Sequence, residues 1–241
     1  MVKDTIINGD AYKLIKEVPD KSVDLVYTDI PYLGGYSKAH SHRKRIERIS
    51  ETNKFYSGID LSIIDDFIRV MKKTNMYIWC SNNQIMPIVD RIIGGGGNKV
   101  QWKILVWHKK DCVLMNRRQY VPDLEYCIYF TEGQGINDLG YGLSKQYESV
   151  TNKEENKMYG HCTTKPYDMV RTHVLASSNT GDMVLDPFSG SGTTCSVCKN
   201  EGRHYLGFEI DAKYYKASID RLNGITVQDR EAIDEGQERL F

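Results

Sequence analysis

The sequence predicts an α/β fold built on a mostly parallel sheet, and three observations carry that expectation. Short apolar runs alternate with amphipathic stretches along most of the 241 residues, which is the pattern of β-α units. LDPFSGSGTTC (Leu185 to Cys195) has the form of a strand that ends in an acid and feeds a glycine-rich turn opening a helix. Ile104–His108 and Glu125–Phe130 are both strand-like with no helix between them, which predicts an antiparallel pair at one edge of the sheet.

In chain order, strands are expected at Thr5–Asn8, Val23–Thr28, Met76–Ser81, Ile104–His108, Glu125–Phe130, Met183–Asp186 and Tyr205–Glu209. Helical periodicity predicts helices at Ala11–Glu17, Leu61–Lys73, Gln84–Ile93, Pro166–Ser177, Thr193–Asn200 and Ala212–Leu222. Three segments interrupt the alternation. Leu33–Gly58 has no periodicity and contains the basic cluster KAHSHRKRIER; Gly94–Gly97 is a run of glycines, expected to be a flexible connector; Gly133–Tyr159 is polar and reads as an excursion from the sheet. The charged stretch 226–241 is expected to be a surface helix or a loose tail. No repeat and no domain boundary is visible, so residues 1–241 are expected to form one domain, long enough for a full core.

Charge is balanced, with 32 basic and 32 acidic residues. A nucleic-acid surface would therefore be a local patch and not a global field. No apolar stretch approaches the roughly 18 residues of a membrane span, and the start MVKDTIINGD lacks a signal-peptide core. No membrane partner and a cytoplasmic location are expected. The six cysteines (80, 112, 127, 162, 195 and 198) are scattered, several within apolar runs, and read as reduced buried thiols. Cys195 and Cys198 form a C-x-x-C without a second matching pair, so no metal site is expected.

The glycine-rich turn is the first chemical signal. Asp186 ends its strand, Ser189-Gly190-Ser191-Gly192 makes the turn, and Thr193 and Thr194 can cap the first helical amides. Such a turn lets the backbone approach a ligand closely and points free amides at it. Glu209 ends the next strand 23 residues after Asp186, the spacing of a ribose-binding acid. The turn is not G-x-G-x-x-G, however, and a diphosphate would face the Asp186 carboxylate, whereas a cationic amino-acid moiety would be attracted by it. A cofactor pairing a nucleoside with an amino acid fits better than a nicotinamide dinucleotide.

TDIPY (Thr28 to Tyr32) is the second signal. Asp29 places an acceptor at a strand end, Pro31 fixes the turn and leaves carbonyls free to accept, and Tyr32 offers a flat face. Two acceptors beside an aromatic plate suit a ring bearing an exocyclic amine. Alone, such a string is usually only a turn.

With both signals present in this order, the chain resembles the β-class amino methyltransferases, S-adenosylmethionine-dependent enzymes that methylate exocyclic amines of DNA bases. The resemblance spans most of residues 4–222. INGDAY is similar to an early element that would put Asp10 on the cofactor's adenine. WHKKD (Trp107 to Asp111), Arg117, Arg118 and Glu125 resemble the family's middle segment. HCTTKP resembles its H-P-T-x-K-P element and would place Thr163, Lys165 and Pro166 near the cofactor's methionine end. The cofactor loop matches closely at Asp186, Pro187, Phe188, Ser189, Gly190, Ser191, Gly192, Thr193 and Thr194. Glu209 and Ile210 match the ribose acid and the residue packing on adenine, and Asp29 is expected to touch the cofactor too. Two departures stand out. Ile30 replaces the usual first proline of the catalytic motif but still supplies the backbone carbonyl; Cys162 replaces a proline, which affects local loop rigidity.

The resemblance implies a Rossmann-like methyltransferase sheet with circularly permuted motif order. It implies S-adenosylmethionine as cofactor and direct methyl transfer to adenine N6 in double-stranded DNA, with Asp29, Ile30, Pro31 and Tyr32 as the catalytic set. The base would flip out of the duplex to reach them. The aspartate of the catalytic motif favours adenine over cytosine-N4. Leu33–Lys54 carries six Lys/Arg against two acids, and Lys38, Arg43, Lys44, Arg45 and Arg48 are expected to meet DNA phosphates. Segment 133–160 stands where the family places target recognition; its shortness points to a compact element or to help from a second subunit, as in a homodimer. The competing readings are a cytosine-N4 or RNA-base enzyme and a catalytically silent DNA-binding subunit. No nuclease motif is visible, so the expectation is a stand-alone modifying enzyme of restriction-modification type.

Overall fold

A computed structural model describes residues 1–33, 58–96, 99–113, 118, 120–133, 136–151, 153–159 and 164–230. Among the described residues eight strands form one sheet: β1 (Thr5–Asn8), β2 (Leu25–Asp29), β3 (Asn75–Cys80), β4 (Val100–Lys109), β5 (Leu124–Glu132), β6 (Gln146–Ser149), β7 (Met183–Asp186) and β8 (His204–Glu209), in the order β1-β8-β7-β2-β3-β5-β4-β6. The described helices are α1 (Ala11–Leu14, continued by a 3-10 turn Ile15–Glu17), α2 (Ile63–Val70), α3 (Asn82–Gly96), α4 (Lys153–Met158), α5 (Tyr167–Ser177), α6 (Thr193–Asn200) and α7 (Ala212–Leu222).

Alternation along the strands splits the apolar residues between two layers. In β2, Val26 faces a core formed with Ile63, Ile64 and Phe67 of α2 and Ile88 and Ile92 of α3. Its neighbours Leu25 and Tyr27 face the opposite core, with Val170 and Val174 of α5 and Val197 of α6. Both faces of the central strands are covered, so β2 and β3 read as almost unbroken buried runs, as expected for parallel strands between helices.

The expected Rossmann-like sheet is the one observed. Strands β1, β8, β7, β2 and β3 are parallel, and β5 runs antiparallel to both β3 and β4. The structure adds β6, which pairs parallel to β4 outside the antiparallel pair. Its alternating half-exposed residues are too short and polar to register as a strand before pairing. The excursion 133–160 thus contributes both β6 and α4. Within the glycine run, helix α3 continues through Gly94 to Gly96 where a connector was expected; its hydrogen-bonded backbone overrides weak local propensity.

Candidate active site

Asp29 and Asp186 stand 157 positions apart in sequence, yet their strands are neighbours, with Val26 opposite Leu185. From β2 the chain crosses through α2 to β3 on one side, and from β7 through α6 to β8 on the other. The crossover helices cover opposite faces. The gap beyond the β2 and β7 carboxyl ends is therefore the switch point, where open α/β sheets bind ligands. A cavity of about 1550 Å³ opens there, larger than the about 300–1,000 Å³ of a pocket for one small ligand. Its wall includes Asp29, Ile30, Pro31 and Tyr32 after β2, Asp186 to Ser191 with Thr193 and Thr194 after β7, and Asp10, Lys165, Glu209 and Ile210.

On the β7 side the backbone is set by the acids that flank it. The Glu209 carboxylate accepts from the Gly190 N–H at 2.8 Å with one oxygen and from the Asp211 N–H at 2.8 Å with the other. Burial raises its pKa, with those amides opposing. Glu209 therefore fixes the glycine turn as well as facing the cavity, a role the spacing alone did not reveal. Asp186 is deeply buried, and burial pushes its pKa up to about 7 against the Thr194 and Thr28 hydroxyls and the Phe188 amide. Gly192 adopts φ +75°, and a Cβ there would lie 2.9 Å from Ser218 Cβ. It turns the loop into α6 and does not line the cavity. Pro166 also stands outside the cavity wall, at the start of α5. Asp10 lines the wall while capping α1, its carboxylate accepting from the Tyr12 N–H at 2.9 Å. Ile210 lies exposed at the rim. Thr163 and Cys162 fall outside the described residues.

On the β2 side the sequence reading missed a four-charge cluster. Lys165 Nζ contacts Asp29 Oδ2, lies 3.0 Å from Glu125 Oε2 and donates to the Tyr32 hydroxyl at 3.2 Å. Lys109 Nζ reaches Glu125 Oε1 at 3.1 Å, and Tyr32 donates to Glu125 Oε2 at 3.2 Å. Two cations thus face two carboxylates. Burial works against the Lys165 charge, yet Asp29 and Glu125 hold its pKa above the ordinary lysine value. Burial likewise opposes the Glu125 charge, but Lys165 and Lys109 bring its pKa below the usual carboxylate range. Asp29 ends up raised: burial outweighs Lys165, and Glu125 adds to the rise. The second Asp29 oxygen, Oδ1, is buried without a hydrogen-bond partner among the described residues. Lys165, expected near a methionine end, lines the cavity and also binds the catalytic turn directly. Glu125 and Lys109 lie on adjacent antiparallel strands, two residues off register, a juxtaposition that only strand pairing creates.

Lys38, Arg43, Lys44, Arg45 and Arg48 fall outside the described residues, as does Arg117. Cys195 and Cys198 are buried in the core layer against α5 and β8. Among the described residues no helix is long and apolar enough to cross a membrane.

Solved structures place this architecture in a class. The crystal structure of M1.HpyAVI in complex with SAM aligns with a TM-score of 0.68 at 24% identity, covering 91% of this chain and 98% of that one. PvuII DNA methyltransferase, described as cytosine-N4-specific, aligns at 0.67 and 16% identity over 90% and 85%. The fold is that of the methyltransferases. The sequence model described as DNA methylase, for N6 and N4 enzymes, matches residues 23–220, and the chain belongs to that family. Among curated proteins, the DNA adenine methyltransferase YhdJ of Escherichia coli K12 is 28% identical over 91% of this chain and 82% of its own length. The type II methyltransferase M2.LlaDCHI of Lactococcus lactis subsp. cremoris is 26% identical over 90% and 88%.

Proposed function

We propose that this DNA methylase transfers a methyl group from S-adenosylmethionine to the exocyclic N6 amine of adenine in double-stranded DNA. The observation that carries the reading is the single cavity shared by the Asp29–Tyr32 turn and the Asp186–Thr194 loop. The donor set fits the cofactor: Asp186 and Glu209 offer carboxylates to a cationic amino-acid moiety and a ribose, and the glycine turn lets backbone approach. Asp10 and Ile210, which line the same cavity, complete the cofactor set together with Thr163, with Ile210 against adenine. The bound cofactor supplies an electrophilic methyl on a sulfonium.

This chain's residues prepare the amine. Its lone pair is delocalised into the base and is a poor nucleophile. Asp29 Oδ1 and the Ile30 carbonyl accept its two hydrogens, drawing the nitrogen toward tetrahedral geometry, while Lys165 holds Oδ2. Tyr32, anchored through its hydroxyl to Glu125, presents its ring to the extruded base. The contribution is positioning and electrostatics, with no covalent enzyme intermediate. Residues 1–241 act as one methyltransferase domain in the cytoplasm. The basic residues Lys38, Arg43, Lys44, Arg45 and Arg48 contact phosphates, and segment 133–160 reads the target, with a second copy assisting.

Incubation with methyl-labelled cofactor and unmethylated genomic DNA, followed by nucleoside analysis, tests the reading. N6-methyladenine is expected, and Asp29→Ala should lose about 2–4 kcal/mol of transition-state stabilisation, roughly 30- to 1,000-fold in rate, with cofactor binding measured separately. N4-methylcytosine would shift the target, and no transfer at all would leave a silent subunit.

A further inference from the structure

The catalytic turn does not hold itself in place, and the residue that fixes it lies on a different strand-to-helix junction. Ser81-Asn82-Asn83-Gln84 follows β3 and opens α3. Gln84 is 4% exposed. Its Oε1 accepts from the Ser81 N–H at 3.0 Å and from the Ser81 hydroxyl at 2.7 Å, which is the reach-back half of a capping box. Its amide nitrogen does something no cap requires: Nε2 donates to the Pro31 carbonyl at 2.9 Å. Upstream, the Ile30 N–H donates to the Trp79 carbonyl of β3 at 3.2 Å. The turn is thus pinned on both sides of the Ile30 carbonyl, by the last strand residues before the helix and by the first turn within it.

We propose that Gln84 is a positioning residue for methyl transfer, holding the Pro31 carbonyl so that the Ile30 carbonyl and Asp29 face the target amine. Two carbonyls compete for that task in the turn. With Pro31 O engaged by a buried amide, the Ile30 carbonyl is the one presented. A buried side chain that spends its oxygen on the helix and its nitrogen on the turn transmits the rigidity of α3 to the reacting geometry, and misplacement by about 1 Å costs on the order of 100-fold in rate. This inference rests on the methyltransferase reading above. Its test compares variants with an active parent, so absent parental activity would sink that reading, whereas the variants address Gln84 alone.

Gln84→Glu separates the two roles, since glutamate serves a capping box as well as glutamine does but offers Pro31 no donor when ionised. Expected for Q84E at pH 8, assayed well below the variant's own melting temperature, are a cofactor Kd within about twofold and kcat reduced about 10- to 100-fold. As pH falls, protonation restores an O–H donor, and the variant-to-parent kcat ratio should climb. Ser81→Ala is the counterpart: it removes the hydroxyl that donates to Gln84 Oε1 and to the Leu33 carbonyl, leaves the Gln84–Pro31 bond, and should lower the melting temperature with a smaller loss of kcat than Q84E. If Q84E folds poorly, Gln84→Met, of similar length and without any donor, takes its place. Either a kcat within twofold of the parent, or a kcat that falls in Q84E and S81A alike in step with lost stability, would reduce Gln84 to a helix cap and overturn the proposal.

Discussion

Asp186 makes a quantitative claim about cofactor binding. Its carboxyl is buried beneath the glycine turn and held at about 7, so in the free protein it is about 9% ionised at pH 6 and about 91% at pH 8. A cationic ligand moiety stabilises the ionised form and draws its pKa down. Binding therefore releases a proton below pH 7, and affinity rises with pH until Asp186 is fully ionised. The ratio of ionised fractions predicts an affinity about tenfold tighter at pH 8 than at pH 6, on the order of 1.4 kcal/mol. Calorimetric titration with S-adenosylmethionine across that range, in two buffers of different ionisation enthalpy, measures both the slope and the proton. Asp186→Asn should bind weakly with its slope removed, and its profile subtracts any titration belonging to the ligand or to other groups. His173, half-buried where it stacks on Tyr77, is held near 4 by desolvation and stays neutral throughout. The same raised pKa acts on stability with a definite sign. The folded state holds an extra proton between the ordinary carboxylate value and about 7, so ligand-free stability falls as pH rises through that window. The shift from 3.8 to about 7 is on the order of 4 kcal/mol, and D186N should recover part of it at pH 8. A wild-type Kd flat from pH 6 to 8, or a slope equally steep in D186N, would refute the assignment.

Other perturbations reach the rest of the site. Glu125→Gln removes a charge that adds to the burial-driven rise of the Asp29 pKa, so the acid limb of the kcat–pH profile should move to lower pH; an unmoved limb would leave Glu125 a purely structural partner. Lys165→Met strands two carboxylates and should destabilise the fold by about 3–5 kcal/mol. That loss should be greatest above the carboxylate range and relieved on acidification as those groups take up protons, which denaturant titrations at two pH values would show. Gly192→Ala combines a left-handed φ with a 2.9 Å approach to Ser218 Cβ, and should cost about 2–4 kcal/mol of stability in thermal melts.

Local sequence carried much of the fold because the central strands and their helices are locally consistent. Met183–Asp186, Thr193–Asn200 and Ala212–Leu222 form with the bounds their periodicity predicts. Strand β6 did not register, since Gln146–Ser149 becomes a strand only by pairing with Val106–Lys109. The same divide runs through the site. TDIPY and DPFSGSGTT were legible because each is a contiguous string whose residue types state their chemistry. The pairing of Lys165 and Lys109 with Glu125 and Asp29 was not, nor was Gln84, since a buried charge or amide acquires its role only from the partner that burial brings to it.

By itself, then, the sequence determined the class of fold, the two turns and the acids that end their strands, because these depend on short-range propensity and on spacing along one chain. Tertiary structure decided that β2 and β7 are neighbours, that Lys165 locks onto Asp29 and Glu125, and that Gln84 holds Pro31. Those contacts join residues between 40 and 159 positions apart. No local pattern encodes such pairs, since their geometry is set by sheet order and by the requirement that buried polar groups find partners.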